Sequence, residues 1–194
     1  MEKSQTIPVK YPGTSYQGLL DKETRPVPAA LRDSAEVYLG SGPLDVSCYL
    51  SREVHLLEKQ RLWPRVWQAL CRESEIPAAG DYYVQDIADQ SVFAIRNASG
   101  GIRVFPNACL HRGRQLKSGS RSGLGSSRDI TCPFHGFRWN LEGAFEGAPC
   151  AWDFPHIDPA DFALPALRSA TWGGWVFVNL DGQAPPLEDY LGVM

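Results

Sequence analysis

From residue 66 onward, short apolar-rich runs are separated by polar turn signals rich in glycine, asparagine and aspartate. Such patterning predicts β-strands separated by turns. The candidate strands are Trp67 to Cys71, Tyr82 to Ile87, Ser91 to Arg96, Ile102 to Phe105, Phe137 to Leu141, Arg168 to Trp172 and Trp175 to Leu180. Two pairs read as hairpins, one turning through Asn97-Ala98-Ser99-Gly100-Gly101 and the other through Gly173-Gly174. The short spacing predicts a mainly β, antiparallel, sandwich-like domain. One helical pattern precedes it. Ser51 is its N-cap, Glu53 suits its first turn, Val54, Leu56 and Leu57 give an apolar side, and Pro64 stops it after about Leu62.

The flanks carry weaker patterns. Residues 1–45 hold Pro8, Pro12, Pro26, Pro28 and Pro43, which argues against a core and predicts an extended N-terminal arm with one short helix within Ala29 to Tyr38. The domain then occupies 46–180. Residues 181–194 contain Pro185-Pro186 and a helical start at Leu187 to Leu191, the expected beginning of a linker. The glycine- and serine-rich run from Ser118 to Ser127 predicts a flexible surface connection. It lacks the strand, Lys-Ser/Thr and helix context of a phosphate-binding loop.

Composition narrows the classes. A net charge of −3 and a pI near 5.8 give no general case for a nucleic-acid or anionic-membrane partner. No apolar run reaches the roughly 18 residues of a membrane span, and the N-terminus shows no signal-peptide core, so a cytoplasmic location is expected. Of five cysteines, Cys48, Cys71 and Cys150 lie outside the motif below. Their odd number suggests small buried thiols rather than a disulfide framework. His55, on the helix, reads as a partly buried structural histidine.

The chemistry concentrates between Cys109 and Trp139. Cys109-Leu110-His111-Arg112-Gly113 and Cys132-Pro133-Phe134-His135-Gly136 each supply one thiol and one imidazole. Cys109 and His111 are two apart, so an extended segment would send both side chains off one face. Cys132 and His135 are three apart, which requires a turn; Pro133 and Gly136 suit one. Tetrahedral zinc also takes two Cys and two His, although its cysteines are usually paired at short spacing, and no Cys-x-x-Cys occurs here.

Mixed Cys-x-His and Cys-x-x-His loops resemble the Rieske iron–sulfur motif, in which two cysteines hold one iron of a [2Fe–2S] cluster and two histidines the other. The flanking Arg112-Gly113 and Gly136-Phe137, with Trp139 and Gly143, match that family, Phe137 standing where tryptophan is more usual. From about Tyr49 to Leu191 the chain resembles the N-terminal part of the large (α) subunit of Rieske non-haem iron oxygenases that hydroxylate aromatic rings. The resemblance implies a cluster on Cys109, His111, Cys132 and His135, with no catalytic residue among these 194. It implies an electron donor, either a ferredoxin or a flavin reductase. It further implies a mononuclear Fe(II) in a C-terminal catalytic domain, of the same or a neighbouring subunit. Arg114 and Phe134 stand where respiratory Rieske proteins carry disulfide cysteines, so the resemblance is to the oxygenase or ferredoxin type. A free-standing Rieske ferredoxin is the alternative.

A mononuclear iron needs two histidines and a carboxylate. Outside the motif only His55 and His156 remain. Asp153-Phe154-Pro155-His156 mimics half of the family's iron motif, but Asp161 stands where its second histidine would fall. Arg112, Arg114, Lys117, Arg121, Arg128 and Arg138 face Asp129 alone between Cys109 and Arg138. Two readings stay open: steering of an acidic partner, or solubilising charge on a surface loop.

Overall fold

The structure is a computed structural model that describes residues 13–33, 42–118 and 123–192. It divides into two units, Met1–Pro43 with Leu191–Met194, and Leu44–Tyr190. In the smaller unit, α1 (Tyr16–Leu20) is capped by Ser15, whose hydroxyl accepts from the Gly18 amide. A second helix, α2 (Ala29–Arg32), begins where the sequence predicted one. Arg32 reaches back to Asp21 at 2.7 Å and to the Leu20 carbonyl at 3.1 Å. Residues 34–38 of that predicted helix lie outside the described residues.

The larger unit is mainly antiparallel β, the class the patterning predicts. It opens with α3 (Ser47–Leu50) and α4 (Arg52–Arg61). Ser51 caps α4 by accepting from Glu53 and Val54 amides, as its position in the sequence predicts. Among the described residues ten strands follow: β1 (Gln68–Arg72), β2 (Asp81–Ile87), β3 (Gln90–Arg96), β4 (Ile102–Pro106), β5 (Gly123–Ser126), β6 (Ile130–Thr131), β7 (Arg138–Trp139), β8 (Phe145–Gly147), β9 (Arg168–Trp172) and β10 (Trp175–Asn179). A last helix, α5, covers Leu187–Leu191. They form three sheets, ordered β1-β10-β9, β4-β3-β2-β5 and β6-β7-β8. Among the described residues no helix is long and apolar enough to cross a membrane.

The hairpin β3–β4 divides two cores. Successive strand residues point to opposite faces. Phe93, Ile95 and Phe105 therefore enter one core with Ile130, Phe137 and Trp139, while Val92, Ala94 and Val104 enter the other with Leu70, Val176 and Val178. This two-sided burial explains why β3 reads as a continuous apolar run rather than an alternating one. Gln90 and Arg96 flank it as polar ends.

Three expectations are corrected. Part of the Ser118 to Ser127 run is strand β5, paired with β2 from Gly123 opposite Val84 to Ser126 opposite Asp81. Gly125 permits this because a Cβ there would collide with the Tyr82 ring. Backbone pairing outweighs the low strand propensity of Gly and Ser. The predicted strand after the second loop contracts to β7, since Asn140 accepts from the Glu142 and Ala144 amides and turns the chain. His55 is exposed, with Nδ1 3.9 Å from Glu58, and Cys48 and Cys150 are exposed as well; of the three cysteines outside the motif, Cys71 alone is buried.

Candidate metal centre

Two turns of the same construction carry the motif. In the first, the Gly113 amide donates to the Cys109 carbonyl at 2.8 Å, and the Cys109 amide donates to the Arg114 carbonyl at 2.8 Å. In the second, the Gly136 amide donates to the Cys132 carbonyl at 3.0 Å, and the Cys132 amide to the Phe137 carbonyl at 2.8 Å. Gly113 and Gly136 both sit at φ +70°, the left-handed region that glycine enters without a Cβ penalty. The first loop is thus a turn rather than the extended segment that two-residue spacing suggested. A turn brings positions one and three of the first loop, and one and four of the second, to the same place.

The four side chains meet as two pairs. Cys109 and Cys132 are buried and their side chains are hydrogen-bond neighbours. The His111 and His135 rings lie 5.0 Å apart nearer the surface. Burial raises the Cys109 thiol above its ordinary value, Cys132 pushes the same way, and the backbone N–H groups of His111 and Arg112 pull it down. Burial, Arg112 and His135 together lower the His111 imidazole. Phe137 stacks on His111 at 4.6 Å and 14°, and Phe154 meets the same ring edge-on at 5.5 Å. Phe134 lies against His135 at 3.8 Å and is itself exposed. Aromatic packing therefore sets both ring planes.

The turns are held from behind. Asn107, buried just after β4, accepts from the Leu116 and Lys117 amides at 3.0 and 2.8 Å and donates to the Lys117 carbonyl at 2.9 Å and to Ser91 Oγ at 3.2 Å. It closes the base of the first loop. Trp139, fully buried, donates from Nε1 to the Phe162 carbonyl at 2.8 Å behind the second. Gly136 packs so tightly that a Cβ would lie 2.8 Å from Pro149 Cγ.

Of the cations singled out in the sequence, Arg112, Arg114 and Arg128 are exposed. Arg138 pairs with Glu146 at 3.1 Å, Lys117 is buried, and Arg121 lies outside the described residues. His156 borders a groove of about 370 Å³ beside His111, together with Leu110, Phe154, Asp158 and Asp161. His55 is on α4. Among the described residues, no three His, Cys, Asp or Glu side chains gather on one metal-ion position. The roles of Asn107 and Phe154 were missed from sequence. A lone asparagine closing an apolar strand, two residues before a ligand-type cysteine, is the one signal that pointed to the former.

A donor set of two adjacent sulfurs and two adjacent imidazoles on facing turns fits a two-iron, two-sulfide cluster. The sequence profile of the Rieske [2Fe-2S] domain matches residues 66–158. The chain is 33% identical over 153 residues to the chlorobenzene dioxygenase subunit alpha of Cupriavidus sp. (strain PS12), covering 78% of this chain and 33% of that protein. It superposes on naphthalene 1,2-dioxygenase from Rhodococcus sp. with a TM-score of 0.67 and 36% identity, over 72% of this chain and 32% of the other. A quaternary ammonium Rieske monooxygenase gives a TM-score of 0.68 at 29% identity, over 75% and 40%. The chain spans about a third of the length of the curated relatives it matches.

Proposed function

Residues 66–158 belong to the Rieske [2Fe-2S] domain family, and from that membership we propose that this chain is the electron-carrying part of an oxygenase α subunit. In this reading residues 46–180 form the electron-transfer domain. It accepts electrons from a ferredoxin or flavin reductase and delivers them to a mononuclear non-haem iron outside these 194 residues. Residues 181–194 lead toward that catalytic part.

The Rieske domain implies a [2Fe-2S] cluster, which supplies a one-electron carrier when bound. The reading assigns Cys109 and Cys132 to one iron and His111 and His135 to the other. The observation that carries it is the pairing of like donors: sulfur beside sulfur in the buried layer, imidazole beside imidazole at the rim. Leu116, Ile130, Phe137 and Trp139 keep water from the cysteine side. The His111 and Arg112 amides face the Cys109 sulfur and stabilise its thiolate charge. Phe137 fixes the plane of His111. His135, exposed beside Phe134, offers a partner the shortest approach.

Arg112, Arg114 and Arg128 then present positive charge to an acidic donor. The identity of the aromatic or related substrate belongs to the catalytic part. Anaerobic purification tests the cluster directly. About two irons and two acid-labile sulfides per chain are expected. A single zinc and no colour would overturn the reading, as would a visible spectrum that His135→Ala leaves untouched. Reading the gene downstream of codon 194 tests the α-subunit role: a two-histidine, one-carboxylate set supports it. Termination without one favours a free-standing ferredoxin.

A further inference from the structure

Lys117 is 6% exposed, an unusual place for an ammonium group. Burying a cation is unfavourable unless fixed donors and acceptors replace its hydration. Here Nζ donates to Ser127 Oγ at 2.6 Å and to the Asp129 carbonyl at 2.9 Å, and it stands 5.0 Å from the centre of the Tyr82 ring. Ser127 Oγ also donates to the Asp129 carbonyl at 2.8 Å, so amine, hydroxyl and carbonyl form a closed triangle. At its other end Lys117 is clamped by Asn107, which binds both its amide and its carbonyl.

These contacts join two separate pieces of chain. Lys117 ends the loop that begins at Asn107 and contains Cys109 and His111. Asp129 precedes β6, and β6 delivers Cys132. Apart from the two cysteine side chains themselves, Lys117 supplies the side-chain hydrogen bonds that link residues 107–118 to 125–137 among the described residues. An apolar side chain could fill the volume but could not hold a carbonyl and a hydroxyl at set distances. We propose that Lys117 is a positioning residue that latches the first ligand turn to the second and so fixes the spacing between the two donor pairs. The inference rests on the reading of Cys109, His111, Cys132 and His135 as the ligand set. Burial also lowers the Lys117 ammonium from 10.5 to about 8, consistent with a group drawn out of water for its contacts.

The test uses the full chain as purified, with amide hydrogen exchange and the rate of iron loss to a chelator as readouts. Lys117→Met keeps length and volume and removes the donors. Exchange at residues 127–131 should accelerate at least tenfold, the equivalent of about 1.4 kcal/mol, while the β1-β10-β9 sheet exchanges as before. Iron loss should accelerate by a similar factor, with an unchanged melting temperature or a higher one. Ser127→Ala, a smaller change, should give a weaker acceleration at the same amides. Unchanged exchange in both variants overturns the latch. So does acceleration spread evenly over the domain, which would mark Lys117 as general packing. Metal analysis of the wild-type chain separates the two readings: a chain without iron defeats the ligand assignment, and exchange still decides the latch.

Discussion

Replacing Asn107 by alanine should unfasten the first ligand loop at its base. The side chain is 2% exposed and satisfies the Leu116 and Lys117 amides and the Lys117 carbonyl. Truncation strands these three buried backbone groups, each worth about 1–3 kcal/mol when left without a partner. After partial relaxation the expected loss is about 3–5 kcal/mol, a large share of the roughly 5–15 kcal/mol that stabilises a typical domain. Urea titration followed by tryptophan fluorescence is the assay. With a slope of about 2 kcal/mol/M, the midpoint should fall by roughly 1.5–2.5 M at unchanged slope. Asn107→Asp sharpens the test. Its carboxylate can still accept from both amides, but it cannot donate to the Lys117 carbonyl or Ser91 Oγ, and it buries a charge, so its loss should be at least as large. A loss below about 1 kcal/mol in both variants would show that the loop holds its shape without Asn107, and the account of its base would be wrong.

Other consequences are equally direct. Gly113 and Gly136 share φ +70°, but only Gly136 faces an obstacle, so Gly136→Ala should cost more than the roughly 1 kcal/mol of left-handed strain expected for Gly113→Ala; equal melting shifts would refute the Pro149 contact. Lys117 has a folded-state pKa lowered to about 8, so between pH 8 and 10.5 the unfolded chain binds more protons than the folded one. Its burial penalty is fully present below pH 8 and fades as pH rises, so stability from this group should increase across that window, by up to about 3 kcal/mol, and Lys117→Met should flatten the profile. If Arg112, Arg114 and Arg128 steer an acidic donor, electron-transfer rates should fall as ionic strength rises, and the triple glutamine variant should lose that dependence. A wild-type rate indifferent to salt would leave those arginines as solubilising charge.

Much of this was legible in the sequence because local chemistry and tertiary structure agree there. The β3–β4 hairpin, the glycine turn between β9 and β10, and the Ser51 cap are each dictated by residues adjacent in the chain. The four donor-type residues stand out by their spacing, and the structure places the two thiols beside each other and the two imidazoles beside each other. What escaped depends on distant partners. β5 is a strand only because β2 offers an edge and Tyr82 covers Gly125. Lys117 looks like surface charge until Ser127 and Asp129 surround it. Cys150 carries no periodic context, and the short α4 pattern does not fix which way His55 points, so their exposure could not be read. The first turn was misjudged because a two-residue spacing suits an extended chain as well as a bend, and the Gly113 conformation decides between them.

The twin turns carry one more implication. If each hook sends its sulfur to one iron and its nitrogen to the other, neither hook alone offers any single iron more than one protein bond. A fully ligated cluster then needs both bends at once, which ties its capture to the strands that bring the two loops together.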